Sequence, residues 1–226
     1  IPLVKAGNAE NTWHITAEAI QVHGGYGYCS EYPVEQLAVD CKSLSIVEGT
    51  NGIQSLDLVM RKILLNADQK NYKVLKSRIF QTIEKANGIV EDVYRNMLLT
   101  GLERMNSTLE TMKKNIDEGR YHTLLLNVDP VRRAFFDLML GWMHLWCLAL
   151  VRPKLSSLTA GAKGEALTEI LERDAEAAFY YGKACVSEFW LATEFPKYFG
   201  KLEGISLGEK VDFLPGNTMF LSHPCA

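Results

Sequence analysis

Apolar residues along most of the chain recur at three- and four-residue intervals, which is the spacing of one face of an α-helix. In the first segment this pattern begins at Leu3 and predicts a helix that runs to about Val22. Its apolar positions are Leu3, Ala6, Trp13, Ala17 and Ile20. Gly24 and Gly25 follow the last apolar turn and supply the left-handed backbone that ends helices. We therefore predict that the helix stops at this glycine pair and that an irregular loop continues to Tyr28.

The later helices are predicted from the same periodicity together with proline, glycine and capping signals. Pro33 precedes a short helix that runs to about Lys42, and Thr50 or Asn51 can cap the next helix. Further helices are predicted at about residues 72–86, 89–117, 121–126, 130–151 and 162–192. From Gly200 onward glycine and proline recur and predict a mostly irregular tail, which includes Gly204, Gly208, Pro215, Gly216 and Pro224. No segment has the alternating pattern of a strand, so the predicted fold class is all-α.

A polar stretch divides the chain. Residues 66–71 are polar apart from one alanine, which predicts a boundary between a first region, 1–66, and a helical domain with an irregular tail, 67–226. At roughly 150 residues per domain, the length allows one large domain or two small ones. The 24 basic residues against 27 acidic ones give a net charge of −3, which argues against a nucleic-acid surface or a polybasic membrane surface.

The segment from Leu138 to Val151 is nearly continuously apolar. A membrane-spanning helix needs roughly 20 apolar residues, so we predict a buried bundle helix with Trp142 and Trp146 in the core. A membrane-surface helix or a partner-docking helix remains the alternative. His144 has neither a histidine nor a carboxylate three or four residues later, so it is predicted to be a hydrogen-bonded core histidine and not a metal ligand.

The cysteines are odd in number, scattered and without a C-x-x-C pair, which argues against a disulfide framework and a zinc site. They are Cys29, Cys41, Cys147, Cys185 and Cys225. A reducing compartment is therefore expected. The sequence begins at Ile1 without an initiator methionine or a signal-peptide pattern, and its opening resembles the middle of a helix, so we expect a fragment.

Glu48 is the first candidate for chemistry. It follows the apolar pair Ile46 and Val47 and precedes Gly49, where a carboxylate can be held in a poorly solvated pocket with its pKa raised toward that of a general base. A surface glutamate at a helix N-terminus is the plain alternative. The glycines at 24 and 27 are not a dinucleotide-binding fingerprint, because they follow a helix and not a strand.

Several motifs together resemble the C-terminal signature of the acyl-CoA dehydrogenases. They are Gln21-Val22-His23-Gly24-Gly25-Tyr26-Gly27-Tyr28, Glu31-Tyr32-Pro33-Val34-Glu35, Asp40 and Glu48-Gly49-Thr50-Asn51-Gly52-Ile53-Gln54. The resemblance is ordered and ungapped and covers roughly residues 1–66. Residues 67–226 more loosely resemble the additional helical domain of a larger, mostly bacterial branch, which includes the methylmercaptopropionyl-CoA dehydrogenase-like enzymes.

The resemblance implies a reaction. In the family, the glutamate of the Glu-Gly-Thr motif removes the α-proton of an acyl-CoA thioester while the flavin of FAD accepts hydride from the β-carbon, leaving a trans-2-enoyl-CoA. Here that base corresponds to Glu48, and its backbone N–H would help to hold the thioester carbonyl. Gly49 would let the substrate pass close to the backbone. No metal is implied.

The resemblance also implies cofactor contacts and partners. Gln21, Gly24 and Gly25 match positions that contact the adenosine and pyrophosphate end of FAD, commonly the FAD of a neighbouring subunit. Thr50 and Gly52 match further FAD contacts. A homo-oligomer in the bacterial cytoplasm, with an electron-transferring flavoprotein or a similar acceptor, is therefore expected.

Two positions depart from the family pattern. Val47 stands where many relatives have tyrosine, which should reshape the acyl pocket, and Val39 stands where many have arginine before Asp40, which removes a structural salt bridge. The N-terminal helical domain and middle β domain of the family are absent from these 226 residues, so the chain alone is expected neither to bind FAD tightly nor to turn over substrate. The alternative is a non-catalytic oligomerisation or docking module that uses the apolar helix at residues 135–151.

Overall fold

The computed structural model describes residues 1–208, and this part of the chain contains nine α-helices, short 3₁₀ and π-helical turns, and no β-strand. The helices are α1 (Pro2–His23), α2 (Pro33–Ser43), α3 (Asn51–Leu56), α4 (Lys70–Lys85), α5 (Asp92–Asp117), α6 (Tyr121–Thr159), α7 (Gly164–Arg173), α8 (Ala175–Thr193) and α9 (Phe195–Gly208). The prediction of an all-α fold is confirmed. Pro215, Gly216, Pro224 and Cys225 lie outside the described residues.

Helix α1 ends as its sequence predicts, at Gly24, which adopts a φ of 60°. The residues that follow were expected to form an irregular loop, but Gly24–Tyr28 is a 3₁₀ turn. Gly27 is buried in this turn, and a Cβ there would lie 2.6 Å from the carbonyl oxygen of Ile20. The glycine therefore allows the chain to fold back against the end of α1.

Helix α3 is capped by Thr50, whose hydroxyl accepts a hydrogen bond from the N–H of Ile53 over 3.4 Å. The helix widens after Leu56 into a π-helical turn, Asp57–Leu64. This turn buries Val59 and other apolar side chains against the later helices. The first region thus enters the same hydrophobic core as the residues beyond 66, and the predicted division into 1–66 and 67–226 stays a prediction.

Helix α6 corrects two predictions at once. The helices expected at 121–126 and 130–151 are one helix, and Pro130 and Pro153 lie inside it. An interior proline costs about 3 kcal/mol or more. Val128 and Val131, on either side of Pro130, are 2% and 0% exposed, and burying a valine fully contributes about 1.5–3 kcal/mol. Burial of these neighbours therefore offsets the cost of the proline.

By length and composition, α6 is long and apolar enough to cross a membrane. Its most apolar window has a mean hydropathy of 1.7, and 44% of that window is buried inside the fold. The continuous helix is longer than the predicted segment, so the prediction that it is too short to span was wrong. Core helices of water-soluble proteins have the same length and composition, so α6 by itself does not indicate a membrane protein.

The single helix predicted at 162–192 is divided by Asp174 into α7 and α8. The carboxylate of Asp174 accepts hydrogen bonds from the N–H groups of Glu176 and Ala177 over 2.9 and 3.1 Å, and so caps α8. Residues 200–208, predicted to be irregular, are the second half of α9. That helix persists because it buries Tyr198 and Leu202 in the core.

The two tryptophans of α6 differ in burial. Trp142 is half-buried and donates from Nε1 to the hydroxyl of Thr82 over 2.9 Å, whereas Trp146 is 45% exposed and stacks on Trp142 with ring centroids 5.8 Å apart. The prediction that Trp146 is a core residue was therefore wrong. The buried face of α6 runs instead through Leu138, Gly141, Leu145 and Leu148. Because these side chains are covered, the inner face of the 135–151 segment is unavailable for docking.

His144 is hydrogen-bonded, as predicted. Its Nδ1 lies 3.2 Å from the hydroxyl of Ser187, and its ring stacks on Trp190 with centroids 4.7 Å apart. The side chain is half-buried, and this burial lowers the pKa of His144.

Candidate active site

Glu48 lies in the loop between α2 and α3, in a backbone conformation that is rare for a residue with a side chain. Its φ is 54°, and the φ of Gly49 is 88°. Left-handed conformations outside glycine are uncommon, and strained residues of this kind cluster at active sites and ligand clamps. Asp68, Gln69 and Ala160 share this conformation, so what distinguishes Glu48 is that the strain falls on the glutamate of the Glu-Gly-Thr motif.

Two side chains hold the carbonyl groups of this loop. The Nζ of Lys5, on α1, donates to the carbonyl oxygen of Gly49 over 2.7 Å. The amide Nε2 of Gln54, on α3, donates to the carbonyl oxygen of Glu48 over 3.0 Å. Since both carbonyls are held, the position of Glu48 is set by two helices that flank it.

The backbone N–H groups of Glu48 and Gly49 donate to no protein acceptor within residues 1–208. The side chain of Glu48 is exposed, and Ile46 and Val47 are 59% and 50% exposed. The poorly solvated pocket expected around Glu48 is therefore not formed by the described part of the chain. The loop instead presents one carboxylate and two free N–H groups on an apolar surface.

Gly49 leaves the backbone bare on one side. A Cβ at this position would lie 2.8 Å from Nε2 of Gln54, the same atom that bonds to Glu48. Any other residue would need to displace Gln54 and would also be strained at a φ of 88°. The positive φ therefore favours glycine here, and a side chain would disturb the hydrogen bond from Gln54 to Glu48.

The residues predicted to contact FAD form two separate groups. Gln21, Gly24 and Gly25 lie at the C-terminal end of α1, and all three are exposed. A Cβ at either glycine would meet nothing within 4 Å, so a ligand can approach the backbone there. The second group is Thr50 and Gly52, on either side of Asn51, whose side-chain amide donates to Glu10 of α1 over 3.4 Å. Glu10 and Gln21 are eleven residues apart on α1, roughly 16 Å at 1.5 Å per residue, and this length of helix separates the two groups.

Thr50 and Gly52 line a cleft of about 500 Å³ between α1, α2 and α6. It also contains Trp13 and Lys42, whose ammonium lies 5.1 Å from the centre of the indole ring. The remaining lining residues are Ala9, Glu10, His14, Ser45, Asn51, Asp129 and Arg133. The hydroxyl groups, the amide and the aromatic ring fit the ribose and ring parts of a dinucleotide. Of the two cations, Arg133 is ion-paired with Glu10 and Asp129, so Lys42 is the cation that can face a phosphate. No group of three or more histidine, cysteine or acidic side chains suited to a metal occurs among the described residues.

A buried ionic cluster lies behind this cleft. Arg132 of α6 is 0% exposed, and its Nη2 donates to Glu10 over 2.8 Å and to Asp129 over 2.9 Å. Its Nε donates to the hydroxyl of Ser55 over 3.2 Å. Arg133 adds bonds of 2.9 Å to Glu10 and 2.8 Å to Asp129. The cluster therefore ties α1 and α3 to α6.

The charges of the cluster favour ionised Asp129. Burial alone would raise the pKa of this carboxyl, but hydrogen bonds from Arg133, Ser55 and Arg132 lower it to about 2. No motif in the sequence singled out Arg132. One signal could have identified Arg132 as part of a buried cluster. It lies four residues after Val128 and three before Phe135, on the apolar face of a helix, where a charged side chain needs partners.

The two regions match two family models. Residues 1–64 match the model described as acyl-CoA dehydrogenase, C-terminal domain. Residues 75–211 match the model described as acetyl-CoA dehydrogenase C-terminal like. The second match alone covers more than half of the chain.

Curated relatives extend over most of the chain. A butyryl-CoA dehydrogenase of Syntrophomonas wolfei is 28% identical over 92% of this chain and 32% of its own length. A broad-specificity linear acyl-CoA dehydrogenase of Mycobacterium tuberculosis is 26% identical over 87% of this chain and 31% of its own length. A subunit of a caffeyl-CoA reductase–Etf complex of Acetobacterium woodii is 50% identical over 19% of this chain and 11% of its own length. The chain thus spans about a third of the length of the first two relatives.

Proposed function

Because this chain belongs to the acyl-CoA dehydrogenase family, we propose that it is the C-terminal part of an FAD-dependent enzyme that converts an acyl-CoA thioester to the trans-2-enoyl-CoA. The observation that carries this proposal is the conformation of Glu48. The glutamate of the family motif has a strained, left-handed backbone. Side chains hold its carbonyl group and that of Gly49, and its own N–H group is free.

In this mechanism Glu48 is the general base. Its carboxylate takes the α-proton of the thioester, and the negative charge that develops on the thioester oxygen is stabilised by a hydrogen bond from the N–H of Glu48. Gly49 leaves room for the substrate beside the backbone. FAD, when bound, supplies the acceptor for the hydride that leaves the β-carbon. The apolar surface around Ile46 and Val47 would line the acyl pocket once the rest of the protein covers it.

The two groups of predicted FAD contacts suit two different FAD molecules. Thr50 and Gly52 would hold the FAD that works with Glu48. Gln21, Gly24 and Gly25 lie at the far end of α1 and would contact the adenosine and pyrophosphate of a second FAD, bound by a neighbouring subunit. We therefore propose a homo-oligomer.

This arrangement is supported by exposed apolar side chains in the first region. Val22 and Tyr28 are 85% and 82% exposed, and Ile15 is 68% exposed. Ile15 and Val22 are seven residues apart on α1 and therefore share one face of that helix, which favours an interaction surface there. The electron acceptor we propose is an electron-transferring flavoprotein or a similar protein in the bacterial cytoplasm. The similarity to a subunit of the caffeyl-CoA reductase–Etf complex of Acetobacterium woodii supports this choice.

The test is the substitution Glu48→Gln in the full-length protein. We expect bound FAD to remain and the rate of dehydrogenation to fall by about a hundredfold or more, which is the usual contribution of a general base. Glu31→Gln, also in the signature and exposed, is the matched control and should leave the rate unchanged. Substantial turnover by Glu48→Gln would remove Glu48 from the mechanism.

A second experiment concerns the 226-residue chain by itself. We propose that it neither binds FAD tightly nor catalyses the reaction, because the described residues leave Glu48 exposed and divide the FAD contacts between two places. Purified chain mixed with FAD and then desalted should be colourless. A yellow sample with stoichiometric flavin would overturn this proposal.

A non-catalytic docking role has one observation in its favour. Helix α8 exposes Phe179, Val186 and Phe189 on one face, at 58%, 61% and 66%. Light scattering distinguishes this role. A larger particle that is reduced to monomers by Val186→Glu would support docking through α8, and a mass unchanged by this substitution would argue against it.

A further inference from the structure

The ionic cluster at Arg132 reaches the loop of the candidate base through Ser55. The hydroxyl of Ser55 accepts from Arg132 and lies 2.8 Å from the carbonyl oxygen of Asn51 and 2.7 Å from Oδ1 of Asp129, to either of which it can donate. Ser55 is 0% exposed. One buried hydroxyl therefore lies between a guanidinium of α6 and the first turn of α3.

The first turn of α3 in turn holds Glu48. Gln54, adjacent to Ser55, donates to the carbonyl oxygen of Glu48. Asn51 lies three residues after Glu48, and its N–H donates to the carbonyl oxygen of Ser45 over 3.2 Å. A rotation of this turn would therefore move Glu48 through both a hydrogen bond and the covalent chain.

Glu10 provides a second path between the same elements. Its carboxylate accepts from Nη2 of Arg132 and from the side-chain amide of Asn51. Glu10 is on α1, five residues after Lys5, whose ammonium bonds to Gly49. Arg132 thus connects to both helices that hold the loop.

We propose that Arg132 is a positioning residue for Glu48, so that the helical region beyond residue 66 takes part in catalysis by fixing the base loop. This inference rests on the proposed role of Glu48. Arg132 is far along the sequence from every motif of the signature, and its hydrogen bonds go to Ser55, Asp129 and Glu10. It acts through Ser55 and Glu10, and its planar guanidinium holds both in a fixed geometry that a flexible lysine ammonium does not reproduce.

Arg152 offers a matched control on the same helix. It is half-buried and bonds to Glu91, Glu188 and the carbonyl oxygen of Ile89, all beyond residue 66. Arg152→Met therefore removes a comparable ionic cluster from the helical region without touching α1 or α3. A loss of activity that arises merely from a weakened helical region would appear in both arginine variants.

The experiment measures kcat, KM and flavin content of the full-length protein with Arg132→Met, Arg132→Lys, Ser55→Ala, Arg152→Met and Glu48→Gln. We expect Arg132→Met to keep its flavin and to lower kcat by about tenfold to a hundredfold with little change in KM, which is the effect of a misplaced catalytic group. Arg132→Lys should be intermediate, and Arg152→Met should stay within about twofold of the parent protein. Amide hydrogen exchange at residues 45–56 should increase in Arg132→Met and Ser55→Ala and stay unchanged in Arg152→Met.

The inference is overturned if Arg132→Met retains the parent kcat, or if Arg152→Met lowers kcat equally. If Arg132→Met does not fold, Ser55→Ala decides: a lowered kcat with full flavin content supports the inference, and an unchanged kcat overturns it. An active Glu48→Gln would defeat the proposed function itself. An inactive Glu48→Gln beside a fully active Arg132→Met would defeat the positioning role alone.

Discussion

The ammonium of Lys5 donates a 2.7 Å hydrogen bond to the carbonyl oxygen of Gly49, 44 residues later in the chain. The bond fastens the residue after the candidate base to the first helix. It also satisfies a carbonyl whose strained loop offers it no regular backbone partner. The geometry of the base loop is therefore a tertiary property and not a local one.

Lys5→Met should weaken this attachment. The variant keeps the apolar stem and loses the hydrogen bond, and a bond to a charged group contributes about 1.5–3 kcal/mol when buried, so we expect about 1 kcal/mol here, where it is half-buried. Urea unfolding compares it with Lys73→Met, an exposed lysine on α4. Equal free energies of unfolding for the two variants would show that the bond contributes nothing.

Glu48→Gly should separate stability from activity. A left-handed residue with a side chain costs about 1–2 kcal/mol, and the greater freedom of glycine in the unfolded chain offsets up to about 1 kcal/mol of the gain. We expect a free energy of unfolding equal to or up to about 1 kcal/mol above that of the parent, with activity lost.

Ala160 is the control for this prediction, because its φ is 49° at the exposed C-terminal end of α6. Ala160→Gly should relieve the same strain and leave activity intact. A large loss of stability in Glu48→Gly would contradict the view that Glu48 is strained.

Stability should fall in acid because of Asp129. Its pKa is about 2 in the folded protein against an ordinary value of 3.8, so the folded state holds the proton less tightly than the unfolded state. The stabilisation is fully present well above pH 3.8 and is lost as the pH falls toward 2. Chemical unfolding at several pH values in this range measures the slope of the free energy of unfolding against pH, which Asp129→Asn should reduce. Asp117→Asn, an exposed carboxyl on α5, should leave the slope as it is.

Two helical glycines should respond in opposite directions to alanine. A Cβ at Gly7 would overlap the ring of Phe136, so Gly7→Ala forces α1 away from α6 and should lower the free energy of unfolding by about 1–3 kcal/mol. At Gly182 a Cβ meets nothing within 4 Å, so Gly182→Ala should raise it by up to about 1 kcal/mol through helix propensity. Thermal unfolding gives the sign directly. A stabilised Gly7→Ala would contradict the close packing at Gly7, and a destabilised Gly182→Ala would contradict the helix-propensity argument.

The parts of the fold that depend on local chemistry were predictable. Gly24 ends α1 and Thr50 caps α3 because the backbone conformation and the hydroxyl needed there belong to those residues themselves. The capping side chain of Asp174 was equally local, and its position before Glu176 was the signal that divides α7 from α8. That signal was missed because the apolar periodicity continues through it.

The rest depended on contacts distant in sequence. From the sequence, Pro130 predicts a helix boundary. The helix continues because Val128 and Val131, on either side of the proline, are buried. The partners of Arg132 could not be identified from the sequence, because Glu10 and Ser55 are distant in the chain and reach it only on folding. The family motif marked Glu48, but its exposure and left-handed backbone could be found only in the structure.

The bond between Glu10 and Arg132 closes a loop of 122 residues, which has a consequence for synthesis. At about 5–20 residues per second, a ribosome needs about 6 to 24 seconds to add the arginine after the glutamate. Until Arg132 has emerged and α6 has docked, Glu10 and Ser55 lack their guanidinium partner, although the whole base motif has already been made. The base loop therefore reaches its final arrangement only after α6 has been made and has docked.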